Sequence, residues 1–117
     1  MSMARLPLAL RLSLYGLVTG VLLYLTQAPS RELPEVDIWD KAEHAASWLV
    51  LAALGFVLFP KRAGRVVAFT LAFGGLVELL QWLLPFGRDP DWADWAADSV
   101  GVAAAFLAFA VARKDRP

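Results

Sequence analysis

Apolar residues run almost without a break through four stretches of the chain, roughly residues 7 to 27, 42 to 59, 65 to 84 and 93 to 112. Each reaches the length of about 20 helical residues that a hydrocarbon core of about 30 Å requires. The runs are continuously apolar rather than alternating, so they predict helices and not barrel strands. Short connections leave no room for a separate soluble domain. The expected fold is therefore all-α: a polytopic membrane protein of four transmembrane helices in one compact bundle, a single domain over residues 1 to 117.

Composition supports that reading. Of 117 residues, 59% are hydrophobic and 19% charged, with a mean hydropathy of +0.56, which is far from the usual balance of a soluble domain. The formal net charge is zero, so nothing points to nucleic acid, and the absence of cysteine excludes disulfides and thiolate metal sites. No internal repeat is visible, which argues against an inverted-repeat transporter within one chain. Arg5 and Arg11 ahead of the first apolar run also suit a signal peptide. The run exceeds the usual h-region and the cleavage site at Thr26-Gln27-Ala28 is poor, so the first span is kept as a span.

Charge orients the bundle. The terminal segments and the second loop carry Arg5, Arg11, Lys61, Arg62, Arg65, Arg113, Lys114 and Arg116, against Arg31, Lys41 and Arg88 in the first and third loops. The positive-inside rule then predicts both termini in the cytoplasm. Ten of the eleven acids fall at or near the opposite, outer side, leaving Asp115 alone inside.

Several of those polar residues lie inside the spans. In the second span Asp40, His44 and Ser47 follow at steps of four and three, so they are expected to share one helical face. Glu78 and Gln81 share a face of the third span, with Gly74 one turn further in. In the fourth, Asp91, Asp94, Asp98 and Gly101 recur at three or four residues. Glu78 lies seven residues before Pro85 and Asp98 eight after Pro90, which places both about 10–12 Å below the outer surface. A carboxylate facing lipid at depth costs up to about 2.5–3.5 kcal/mol, so both are expected to point into the bundle, neutral or paired. Arg88, Lys41 and His44 are the cationic or near-cationic groups at that level.

Plainer readings compete for some of these residues. Asp91 and Asp94 suit a cap or dipole partner at the start of the fourth helix. Trp39, Trp48, Trp82, Trp92 and Trp95 fall at the outer ends of spans, as an interfacial belt would place them. Ala97, Gly101, Ala104, Ala105 and Ala108 read as small residues for close helix packing. The whole polar layer could also be a clasp that fixes helix packing and does nothing else.

Taken in order, Asp40-Lys41-x-x-His44, Glu78-x-x-Gln81, and Arg88 followed by Asp94-x-x-x-Asp98-x-x-Gly101 resemble the VanZ-like family of small bacterial membrane proteins, over about residues 37 to 109. The resemblance implies a protein of the bacterial cell envelope, in the cytoplasmic (inner) membrane; the family's naming member is associated with low-level resistance to the glycopeptide teicoplanin. The chain departs from the family pattern at Asp98, a position commonly Asn, and carries extra acids between Arg88 and Asp94.

Two function classes follow. In the first, Asp40, Lys41, His44, Glu78, Gln81, Arg88, Asp94 and Asp98 form an outward polar site for a membrane lipid headgroup, a lipid-linked wall precursor or an amphiphilic drug such as a glycopeptide. This reading implies no cofactor and no metal. In the second, the chain is a small enzyme acting on an envelope lipid, with His44, Glu78 and Asp98 as candidate catalytic residues. There His44 acts as acid or base, and Glu78, Asp94 or Asp98 orients it or holds a divalent metal, with Mg, Mn and Zn equally suited. Ser47 and Ser99 are the nearby hydroxyls, and neither sits in a recognisable catalytic frame. Proton or ion passage ranks last, because the inner half offers no polar relay.

Overall fold

A computed structural model describes residues 3–27, 37–84 and 91–114. Four helices carry the chain: α1 (Leu8–Gln27), α2 (Asp37–Leu58), α3 (Ala63–Leu83) and α4 (Trp92–Lys114), with 3-10 turns at Met3–Arg5 and Pro60–Arg62. Each is long and apolar enough to cross a membrane, and together they form a compact all-α bundle.

Local chemistry sets the boundaries. Pro60 lacks an N–H and disfavours helical backbone at the residue before it; Phe59 accordingly sits at φ −132° and ψ 60°, ending α2. The Arg62 N–H then donates to the Phe59 carbonyl at 2.9 Å, and a single 3-10 turn swings the chain into α3. Arg11 of α1 donates to the Leu58 carbonyl at 2.9 Å, satisfying one of the acceptors that a helix C-terminus leaves over. At the other end of the molecule Asp91 caps α4, its Oδ1 accepting the Ala93 N–H at 2.9 Å.

Packing is uneven. α2 and α4 form the closest pair, α3 lies against both, and α1 is the most loosely held. The α2–α4 approach depends on Gly101: a Cβ there would collide with the Ala45 carbonyl oxygen, so only glycine lets the two backbones come this close. Beneath that crossing Trp48, Leu51, Phe56, Val77 and Val102 are almost wholly buried, and Phe56 stacks on Phe109 with centroids 4.8 Å apart. α1 buries only Tyr15 and Thr26. The Tyr15 hydroxyl donates to the Leu51 carbonyl at 3.0 Å, while Leu17 and Tyr24 face outward, where lipid would cover them.

Two expectations need correction. Trp48 does not belong to an interfacial belt: it is 0% exposed, and its indole N–H donates to the Thr70 carbonyl at 2.9 Å. A buried tryptophan needs such a partner, and the Thr70 carbonyl in the middle of α3 supplies one. Trp82, Trp92 and Trp95 are exposed; the Trp39 side chain lies outside the described residues. Of the small residues in α4, only Gly101 and Ala105 are buried, while Ala104 and Ala108 are exposed. The buried face of α4 runs through Asp94, Asp98, Gly101, Val102 and Ala105, the spacing of one helical stripe.

Candidate functional site

The polar residues of three helices meet at one end of the bundle. His44 from α2 and Asp98 from α4 make the central contact, His44 Nδ1 to Asp98 Oδ1 at 2.8 Å. Both are buried, Asp98 completely. With Asp98 ionised, its carboxylate only accepts, which puts the hydrogen on Nδ1 and, in a neutral ring, the lone pair on Nε2. That nitrogen lies 3.6 Å from Asp94 Oδ2, one helical turn toward the end of the bundle. The imidazole also stacks on Trp48, with centroids 5.9 Å apart and planes at 20°.

Room for Asp98 comes from α3. A Cβ on Gly74 would fall 2.9 Å from Asp98 Oδ2 and 2.9 Å from Trp95 Cδ1. The absence of a side chain at that position therefore lets the carboxylate and two indoles share one layer. Further along α3, Glu78 is 0% exposed. Its Oε2 accepts the Asp91 N–H at 2.9 Å, tying α3 to the start of α4, while Oε1 is buried with no hydrogen-bond partner. His44, Glu78 and Asp94 each present a ligand atom, all within 4.8 Å of one another.

Lys41 closes this end. Its ammonium lies 2.8 Å from Asp91 Oδ2 and 3.0 Å from Asp94 Oδ1, bridging α2 to α4 above the histidine. The ammonium, together with the Ala93 N–H, holds the Asp91 carboxyl below its ordinary value. Asp91 thus serves as cap and ion-pair partner at once, and Asp94, whose cap reading was equally open, is buried in the layer.

Gln81 turns elsewhere. Its amide donates to the Thr26 carbonyl at 2.8 Å, while Gln27 donates to the Val77 carbonyl at 3.2 Å, so a reciprocal glutamine brace holds the end of α1 against α3. Nothing in the spacing of Glu78 and Gln81 distinguishes these two destinations, but Gln27 at the end of an apolar run was a signal that a partner would be needed. Ser47 also leaves the layer: it lines an apolar groove of about 460 Å³ between α1 and α2, with Leu17, Val18, Val21, Leu22, Ala46 and Val50. Three residues is 300° of helix, which turns Ser47 some 60° away from His44. Ser99 donates to the Trp95 carbonyl at 2.9 Å. The Asp40 side chain and Arg88 lie outside the described residues. Trp48 and Gly74 are the structural partners of the cluster that stand out least in sequence, although Trp48 sits four residues after His44 and so on its face.

Fold and site together define a small multi-pass membrane protein with an acid–histidine cluster buried among three helices at one end. The chain belongs to the VanZ/LLP1 family, whose model matches residues 15–113. No curated protein and no solved structure matches it significantly.

Proposed function

We propose that this VanZ/LLP1 protein binds an amphiphile of the bacterial cell envelope, its polar head at the acid–histidine cluster and an acyl chain in the groove between α1 and α2. The observation that carries the reading is that α2 serves both. His44 faces the cluster, and the groove wall begins at Ala46 and Ser47, about 3 Å of rise further along. A groove of about 460 Å³ that is apolar but for one hydroxyl suits hydrocarbon, and its volume falls within the range of small-molecule sites. At the head, Lys41 and Arg88 meet an anionic group, and Asp40, His44, Glu78, Asp94 and Asp98 meet hydroxyl or amino groups. A phospholipid, a lipid-linked wall precursor and a lipid-bearing glycopeptide relative of teicoplanin share that chemistry.

Native mass spectrometry of the purified protein with panels of these amphiphiles tests it. Wild type is expected to retain one class through detergent exchange, and Val50→Trp, which fills the groove, and Arg88→Ala are each expected to lose it. Equal retention by all three proteins, or none by wild type, sinks the reading.

The same reading places the cluster on the outer face of the inner membrane with both termini cytoplasmic, on the strength of the lysine and arginine distribution. The native chain has no cysteine, so single cysteines report cleanly. An impermeant thiol reagent applied to spheroplasts is expected to label Trp92→Cys and spare Lys61→Cys; the reverse pattern overturns the orientation.

The His44–Asp98 contact favours a second reading, an enzyme acting on an envelope lipid, since a carboxylate-oriented imidazole is the usual general acid or base. Lipid profiles of cells carrying wild type or His44→Ala separate the two. A difference in lipid species supports chemistry, and identical profiles leave binding.

A further inference from the structure

The geometry points to a divalent metal site formed by His44 Nε2 and the carboxylates of Glu78 and Asp94, with Asp98 as the group that orients the histidine. It goes beyond the amphiphile reading and does not depend on it.

Four features support it. The ligand atoms of the three residues lie within 4.8 Å of one another, one from each of three helices. His44 Nε2 and Asp94 Oδ2 are 3.6 Å apart, close to the edge of about 3.3 Å between ligands that sit about 2.0–2.1 Å from a tetrahedral zinc. Glu78 is 0% exposed and its Oε1 is buried without a hydrogen-bond partner, so an acceptor oxygen in this cluster has no protein donor. A buried acceptor in that position costs about 1–3 kcal/mol unless something positive meets it. The fourth is the Asp98 contact on the far side of the ring, 2.8 Å from Nδ1. Metal-ligating histidines donate their other N–H to a carboxylate in this way, which fixes the tautomer and raises the basicity of the ligating nitrogen.

Charge argues the same way. Within the cluster of contacts, Glu78, Asp91, Asp94 and Asp98 stand against the Lys41 ammonium and the His44 imidazole. A neutral histidine with two carboxylates and a dication makes an electrically neutral unit, which an intramembrane position favours. Imidazole and carboxylate without thiolate select a first-row dication such as zinc, manganese or cobalt over copper(I). Three protein ligands leave a coordination position open, as in catalytic rather than structural zinc sites.

The test uses tag-free, chelator-treated protein in detergent without added lipid, titrated with zinc by calorimetry and with cobalt by visible absorption. Wild type is expected to bind one equivalent of each, and cobalt to give the intense absorption of a four-coordinate site. Glu78→Gln, nearly the same shape, is expected to abolish stoichiometric binding. Asp98→Asn keeps an acceptor for Nδ1–H and is expected to remain folded while losing about 10- to 100-fold in affinity. A purely structural clasp would leave metal affinity untouched in both variants. No stoichiometric binding by folded wild type overturns the proposal, as does unchanged affinity in folded Glu78→Gln; the wild-type cobalt spectrum alone decides should that variant not fold. Loss of amphiphile retention in the native mass spectra bears on the other reading and leaves this result standing.

Discussion

His44 on α2 and Asp98 on α4 touch at 2.8 Å through Nδ1 and Oδ1, both buried. The contact joins the two helices that pack most closely, where lipid offers the side chains no alternative partner. Polar contacts between membrane helices are nonetheless modest, averaging about 0.6 and reaching about 1.7 kcal/mol in double-mutant cycles. A cycle of His44→Ala and Asp98→Ala, followed by unfolding in mixed micelles, is expected to give a coupling within that range. Strictly additive losses would show that the pair contributes nothing beyond its separate burial.

Gly101 controls how near those helices come. A methyl at that position would run into the Ala45 carbonyl oxygen, and backbone cannot swing aside as a side chain can. Gly101→Ala is expected to destabilise by about 1–3 kcal/mol, the usual range for overpacking. Ala104→Val, on an exposed face of the same helix, should stay within about 0.5 kcal/mol. Alanine is the better helix former, so a loss in Gly101→Ala reports the crossing, and no loss there would show that the two backbones part without cost.

Trp48 carries the centre of the bundle. It is 0% exposed, stacked between His44 and Phe73 and bonded to the Thr70 carbonyl. Trp48→Ala is expected to cost about 3–5 kcal/mol, and Trp82→Ala, 69% exposed, to change stability little. Unfolding followed by near-UV circular dichroism checks both, since a packed indole gives a signal that an exposed one does not.

Hydropathy located the four helices well because lipid demands length. It located the start of α2 less well: the apolar run begins near residue 42, whereas the helix begins at Asp37. Apolar character marks where hydrocarbon begins, and a helix can start earlier in polar surroundings. That Glu78 and Asp98 point into the bundle was legible for the same reason, since a charge within a span has to turn inward, and both are fully buried. What those acids touch was not legible. The bond from the Asp91 N–H to Glu78 and that from Gln81 to Thr26 join residues whose separations correspond to no helical period. Trp48 misled because core and interface select tryptophan alike, and only its four-residue step from His44 told them apart.

Lys41 and Asp91 make the last of these contacts pH-dependent. The ammonium at 2.8 Å, aided by the Ala93 N–H, lowers the Asp91 pKa below its ordinary value of 3.8. A carboxylate whose folded pKa is depressed adds stability that is complete above its unfolded pKa and disappears as pH falls through the folded one. The contribution of Asp91 to the midpoint temperature is therefore expected to be complete and constant near neutral pH and to fall as pH drops below about 4. Asp91→Asn keeps an oxygen to cap the Ala93 N–H but has no charge to lose. Relative to wild type it is expected to be less stable at neutral pH, with the difference shrinking toward pH 3. The ion pair is half-exposed, so high salt should narrow the same difference. A gap between the two proteins that is constant from pH 7 to pH 3 would assign Asp91 to capping alone.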